Sequence, residues 1–327
     1  MPCHPELSPR RLPLVTLFLS ERCNSRCITC DYWRHGRAEL NLEAVRGLLP
    51  SLHRLGTATV LLSGGEPLLN REWADIAALL AGEGFGVWLL TSGLSLAKHA
   101  RRAGELFQTI TVSLDGTNPA TYAAIRGVDA FDVVCRGIRA AADIGIRVTV
   151  RVTLQRANFR QLASFVDLTR ALGAHQVSFL AVDVANPHAF ARQDGFQSDL
   201  ALRPGELEEL ATLLAALERD HGEAFSSGFI AESPRKLRRI LQYFSAVCGF
   251  DAYPPVHCNA PEFSAVIDAR GRVSPCFFIA GPDDASALDG LEQALDRPDM
   301  AALRATIRAG GRRECHTCVC SMWRESA

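Results

Sequence analysis

The stretch Leu19-Ser20-Glu21-Arg22-Cys23-Asn24-Ser25-Arg26-Cys27-Ile28-Thr29-Cys30-Asp31-Tyr32-Trp33 sets three cysteines in the spacing C-x3-C-x2-C, directly after the apolar run Leu14 to Leu19. Three thiolates crowded into one short loop can face a single inorganic centre, and soft sulfur ligands select zinc or iron–sulfur clusters. The odd number of ligands is informative. A structural zinc site closes with four protein ligands, and no histidine falls within the loop to complete one, the nearest being His35. A [4Fe–4S] cluster held by three cysteines instead leaves one iron open to a ligand that is not protein.

Outward from this loop, β-rich runs alternate with amphipathic segments over the first two thirds of the chain. Pro13 to Leu19 reads as strand one, Leu42 to Leu55 as a helix and Thr57 to Leu62 as strand two. Asn70 to Leu80 reads as a helix with Asn70 as its N-cap, and Val87 to Thr91 and Thr109 to Leu114 as strands three and four. A helix over Phe131 to Ile144, a strand over Arg147 to Thr153, a helix over Asn158 to Leu172 and a strand over Gln176 to Val182 complete the series. Near-continuous apolar strands separated by helices predict βαβ units and an α/β parallel sheet covered on both faces. Six such units are too few for a closed eight-stranded barrel.

Ser63-Gly64-Gly65-Glu66-Pro67 follows strand two directly. Glycines let backbone approach a ligand closely, and a carboxylate beside them can accept hydrogen bonds from a cationic amine. Alone, this is just as easily a tight turn ending a strand. One βα unit after the cysteine loop, the pair of motifs resembles the radical S-adenosylmethionine (SAM) superfamily. The resemblance implies an open, TIM-like (β/α)6 partial barrel with its chemistry at the C-terminal ends of the strands. It further implies that SAM chelates the open iron of a [4Fe–4S] cluster on Cys23, Cys27 and Cys30, with Gly64, Gly65 and Glu66 at the methionyl amino group. Reductive cleavage of SAM to a 5′-deoxyadenosyl radical, which abstracts a hydrogen atom from substrate, is the implied activity. Ser92 and Ser113 fall where relatives contact ribose, and Arg126 where several relatives place an arginine near the SAM carboxylate. Each reads otherwise as a capping or turn residue, and Asp115 reads equally as a substrate contact or loop structure. Many relatives carry an aromatic residue before the third cysteine, contacting adenine, whereas this chain has Thr29 there. Tyr32 and Trp33 lie just beyond and serve either as substitutes or as core packing.

A second set of cysteines lies near the C-terminus. Cys258, Gly271 and Cys276 fall as C-x12-G-x4-C around an alternating run, Ala265 to Val273, that reads as a hairpin with a glycine in its turn. Cys315-His316-Thr317-Cys318-Val319-Cys320 supplies more thiolates. The pattern resembles the twitch or shortened SPASM extension of radical SAM enzymes. It implies a second, auxiliary [4Fe–4S] cluster on Cys258, Cys276, Cys315 and Cys318, with Cys320 as the alternative ligand. A zinc ribbon on the same four cysteines is the competing reading, since spacing alone does not separate the two metals. Cys248 is surplus to both sets and is a candidate hydrogen-atom donor to a substrate radical, while Cys135 reads as a small core residue and Cys3 as an exposed thiol.

The 327 residues carry 11 cysteines, 48% apolar and 22% charged residues, and a net charge of −1. Near-neutrality argues against a bulk nucleic-acid or anionic-membrane binder. With no apolar stretch of signal or spanning length, the chain reads as cytoplasmic, where clustered cysteines favour metal chemistry over disulfides. The expected organisation is a barrel core over 1–200, a helical bridge over 201–247 and a twitch/SPASM-like domain over 248–327. Strand one starts near residue 13, which leaves no room for the N-terminal leader-binding domain of many peptide-modifying relatives. Similarity to the GTP-cyclising enzyme of molybdenum cofactor synthesis looks limited, because that family ends in Gly-Gly and this chain in Arg324-Glu325-Ser326-Ala327. The favoured reading is an oxidoreductase-type enzyme oxidising or epimerising a small biosynthetic intermediate such as a sugar or aminocyclitol. An external one-electron donor such as flavodoxin or ferredoxin would serve it. Radical modification of a ribosomally made peptide and a non-catalytic iron–sulfur or zinc regulator are the alternatives. Asp183, His188, Glu232 and His257 are candidate acid/base residues around the mouth, each equally a solvated loop residue.

Overall fold

Burial alternates along the strands and so assigns the two faces of the sheet. In β4 (Thr109–Ser113), Ile110 and Val112 are fully buried whereas Thr109, Thr111 and Ser113 are only half-buried. In β5 (Arg147–Leu154), Val148, Val150 and Val152 are fully buried and Arg151 and Thr153 are not. Successive strand residues point to opposite faces, so in β4 and β5 one face is packed and apolar and the other carries threonine, serine and arginine, while in the neighbouring strands Leu61, Trp88 and Leu90 share that second face. The computed structural model describes residues 11–34, 36–186, 190, 192 and 198–325.

β1 (Leu14–Ser20), β2 (Thr59–Gly64), β3 (Gly86–Thr91), β4, β5 and β6 (Gln176–Ala181) pair in sequence order, all parallel. The sheet does not stop at β1. The strand β7 (Ser264–Ile267) pairs with it in parallel, and β8 (Val273–Ser274) closes an antiparallel hairpin on β7, giving the order β6-β5-β4-β3-β2-β1-β7-β8. Leu14 thus faces Thr59 on one side and Ser264 on the other. The hairpin expected over 265–273 is present, and it extends the barrel sheet.

The outer layer is α1 (Leu42–Arg54), α2 (Trp73–Gly82), α3 (Leu96–Leu106), α4 (Pro119–Arg126), α5 (Phe131–Asp143) and α6 (Leu162–Ala171). Sequence reading passed over α3 and α4. The inward face of α3 offers only Leu96, Ala100 and Ala103, a weak apolar stripe, and α4 is two turns long, capped by Asn118 and ended by Gly127 at φ 68°. Asn70 is not the N-cap of α2. Its buried amide donates to the carbonyls of Leu19 (2.9 Å) and Leu40 (2.8 Å), while its Oδ1 accepts from Glu72 N, and the helix starts three residues later.

The helices α7 (Leu207–Asp220), α8 (Gly222–Ser226) and α9 (Pro234–Val247, capped by Ser233) follow β6, with α7 packed on α6 and α9 on β6. The expected bridge therefore lies against the open edge of the half barrel, and the sheet itself runs on past residue 248 into β7. Among the described residues no helix is long and apolar enough to cross a membrane.

Candidate iron–sulfur and cofactor site

The three-cysteine loop leaves β1 at its C-terminal end, where the register with β2 shifts between Phe18 and Ser20. Its backbone is held from two sides. On one, Arg26 N donates to Arg126 O (2.9 Å) and Ile28 N to Ile125 O (3.0 Å), so the loop occupies carbonyls that the end of α4 leaves free. On the other, Gly65 N donates to Ser20 O (2.8 Å) and Glu66 N to Arg22 O (2.7 Å). A Cβ on Gly65 would sit 2.3 Å from Arg22 O. The glycine pair thus lets the Gly-Gly-Glu turn lie directly against the chain that enters the cysteine loop.

Burial pushes the Cys23 thiol up to about 11 and Cys30 up to about 12, and moves Cys27 the same way. The Arg126 guanidinium opposes this at all three. Arg126 is itself buried, which works to neutralise it, but the Cys27 thiolate and Asp115 outweigh that and hold it charged. Its NH1 donates to Asp115 Oδ2 (3.1 Å), while its buried Nε and the Ser25 hydroxyl find no partner among the described residues. Thiols must lose protons to bind metal. One buried and two half-buried thiols beside a fixed cation and orphan donors fit an anionic, thiolate-bound cluster.

The carboxylate of Glu66 is fully buried and accepts from Leu68 N (3.1 Å), the Thr91 hydroxyl (2.8 Å) and Ser92 N (2.7 Å). The Ser92 hydroxyl donates to Oδ1 of Asn24 inside the cysteine loop (2.9 Å). Ser113 stands half-buried at the end of β4. Asp115 is 2% exposed, with Oδ1 accepting from Thr153 N (2.7 Å) and its carbonyl from Asn158 Nδ2 (3.0 Å). Tyr32 packs edge-on against Phe18, centroids 5.7 Å apart, and Arg34 lies over the Trp33 ring. Sequence reasoning missed Asn24, Asn158 and Gln155. The last is fully buried at the end of β5 with neither amide atom bonded among the described residues.

Cys258, Cys276, Cys315, Cys318 and Cys320 line one cavity of about 250 Å³. Met322 N donates to Cys258 Sγ (3.5 Å) and Cys320 N to Cys318 Sγ (3.4 Å). Burial pushes Cys276 up to about 11 and raises Cys315, Cys318 and Cys320. Among the described residues no three His, Cys, Asp or Glu side chains converge tightly enough for one metal ion.

Cys248 lies apart from both sets, at the end of α9, with its thiol donating to Leu202 O (3.3 Å). Cys135 is 5% exposed in the core. Glu232 accepts from the Ser178 hydroxyl (2.8 Å) and Phe179 N (2.7 Å), fastening the chain before α9 to β6. His257 stacks on Trp323 at 3.6 Å. Cys3, His35 and His188 lie outside the described residues.

A half barrel with three cysteines, one buried and two half-buried, at the mouth of its first strand, and five more around one cavity, is suited to iron–sulfur chemistry. The comparisons point to one family: the model described as "Radical SAM superfamily" matches residues 17–168 of the chain. That superfamily uses a [4Fe–4S] cluster and SAM, and the cysteine-rich C-terminus of this chain fits the twitch or SPASM-like extension. A GTP 3′,8-cyclase of Erythrobacter litoralis is 28% identical over 279 residues, covering 82% of this chain and 79% of the relative. Similarity to that enzyme is therefore broader than the differing C-terminus suggests. Of the other curated relatives matched, the aligned part spans about half the length, 42% to 57%. Among solved structures, anSMEcpe with bound AdoMet and a Cp18Cys peptide superposes with a TM-score of 0.68 at 16% identity, covering 94% of this chain and 86% of that one. Streptococcus suis SuiB bound to S-adenosylmethionine gives 0.66 at 14%, covering 90% and 68%.

Proposed function

We propose that the chain is a radical SAM oxidoreductase acting on a small biosynthetic intermediate of the sugar or aminocyclitol kind, which it oxidises or epimerises. When bound, the cluster and SAM supply a 5′-deoxyadenosyl radical that takes a hydrogen atom from substrate. The roles of the protein are to bind, orient and shield. Cys23, Cys27 and Cys30 hold the first cluster, and Arg126 holds positive charge beside their thiolates. Gly64 and Gly65 carry backbone, and Glu66 a buried carboxylate, to the methionyl end, with Ser92 and Ser113 on the ribose side. Cys258, Cys276, Cys315 and Cys318 hold an auxiliary cluster, for which Cys320 is placed as a substitute ligand in the same cavity. Cys248, at the C-terminal end of α9 with its thiol bonded to Leu202 O, has less support as a hydrogen-atom donor.

The observation that carries this reading is the meeting of the Cys23, Cys27 and Cys30 thiols, Arg126 and the Gly64-Gly65 turn at one end of the parallel sheet. Anaerobic reconstitution followed by SAM and dithionite is the test. Formation of 5′-deoxyadenosine, abolished when Cys23, Cys27 and Cys30 are all changed to Ala, is the expected result. Deuterium transfer into 5′-deoxyadenosine from labelled sugars, aminocyclitols, GTP or peptides then assigns the substrate. Peptide modification draws on the structure of SuiB bound to precursor peptide SuiA and on the peptide complex of anSMEcpe; at 14% to 16% identity these support the fold and no substrate.

A further inference from the structure

The end of α4 is stitched to the first cysteine loop on both sides of Cys27. Arg26 N donates to Arg126 O (2.9 Å) and Ile28 N to Ile125 O (3.0 Å). Gly127, at φ 68°, ends the helix so near the loop that a Cβ on it would sit 2.2 Å from Arg26 O. The backbone of Arg126 is therefore fixed beside Cys27, and only its side chain is left to be aimed.

Asp115, two residues past β4, meets that side chain and is itself tied to the end of β5. Its Oδ1 accepts from Thr153 N (2.7 Å), and its carbonyl accepts from Asn158 Nδ2 (3.0 Å), which also donates to Thr153 O (3.0 Å). Only Oδ2 turns to the guanidinium, accepting from Nη1 at 3.1 Å. Both side chains are buried, that of Arg126 11% exposed and that of Asp115 3%. Arginine and a carboxylate often meet fork to fork through two parallel bonds. Here Thr153 N holds the second carboxylate oxygen and the pair is joined by one bond, while the buried Nε of Arg126 has no acceptor among the described residues. A buried donor left unmade is costly, and an anion bound at the loop would relieve it. The Asp115 contact thus spends one N–H of the guanidinium and leaves the rest beside the cysteines.

We propose that Asp115 is a positioning residue: acting through Arg126, it holds the guanidinium with its remaining N–H groups toward the anionic groups bound at the three-cysteine loop, the thiolate cluster and the SAM carboxylate. Both oxygens of Asp115 are bonded within the chain and the residue is buried, so it is not placed to meet a substrate. Nor is it only a loop tie. A neutral amide would accept from Thr153 N as well as a carboxylate does, and what the charge adds is its hold on Arg126. The inference deepens the proposed function and rests on it.

The test is equilibrium dialysis of full-length protein, reconstituted with its clusters, against labelled SAM. Charge alone and positioning predict opposite signs for Asp115→Asn. Removing a negative charge near a bound carboxylate should by itself tighten SAM, whereas an arginine no longer aimed should release it. The expected result is retention about tenfold weaker than wild type. Arg126→Gln should weaken it at least as much, and the double variant no further, because Asp115 acts only through Arg126. Iron content shows which variants fold. If Arg126→Gln loads no iron, Asp115→Asn decides alone; if Asp115→Asn loads none, Asp115→Ser takes its place. Retention by Asp115→Asn equal to or tighter than wild type overturns the proposal, as does a double variant weaker than Arg126→Gln by the full Asp115→Asn factor. Wild type that loads iron but holds no SAM defeats the proposed function itself, whereas normal wild-type retention with an unchanged Asp115→Asn defeats only the role of Asp115.

Discussion

Glu66 shows how one side chain can serve both the fold and the cofactor. Three donors from two strand ends point at its carboxylate, so replacement by Gln turns an amide N–H toward groups that are themselves N–H or O–H. Glu66→Gln should cost about 1–3 kcal/mol, read as a lower urea midpoint of the apoprotein, together with weaker SAM retention in dialysis. Full stability in this variant would mean that the three bonds seen here are not made in solution. The cysteine triplet and the Gly-Gly-Glu turn were legible because their spacing is local. Gln155 was not, since nothing near it in the chain distinguishes it from a solvated loop residue, and Asp183 read only as one of four candidate residues around the mouth; the fold buries both.

Among the elements, the turn between β7 and β8 touches the first cysteine loop through Arg270, whose guanidinium bonds both carboxylate oxygens of Glu21 (2.6 and 3.0 Å). Burial acts to raise the Glu21 carboxyl, but the Arg270 bond, Ala38 N–H and the charges of Arg270 and Arg272 outweigh it and hold it below its ordinary value. A depressed carboxylate stabilises the fold above its unfolded value and loses that contribution as the pH falls through the folded one. The difference in urea midpoint between wild type and Arg270→Met should therefore be present at pH 7 and close as the pH falls below the usual carboxylate range. A gap that persists there would assign the effect to packing by the arginine stem. Strand and helix order was legible from periodicity, whereas α3 and α4 were hidden by small or polar inward faces. The pairing of β7 with β1 carries no local signal at all, because it joins segments at opposite ends of the chain.

For the molecule as a whole, two thiol sets share one sheet and so should load and fail separately. Changing Cys258, Cys276, Cys315 and Cys318 together to Ala should lower the iron content from about eight to about four per chain, while the SAM-dependent spectral change of the first cluster remains. Loss of all iron would show instead that the second centre is needed to fold the first.

The position of β1 between β2 and β7 has a consequence for synthesis. The strand that carries the cysteine loop leaves the ribosome well before Ser264 to Ile267, the partner for its other side. Until Ser264 to Ile267 arrive, that strand presents a bare row of amides and carbonyls, which invites pairing with other chains. Production in cells should therefore depend on chaperone supply, and chains truncated ahead of β7 should accumulate as aggregates.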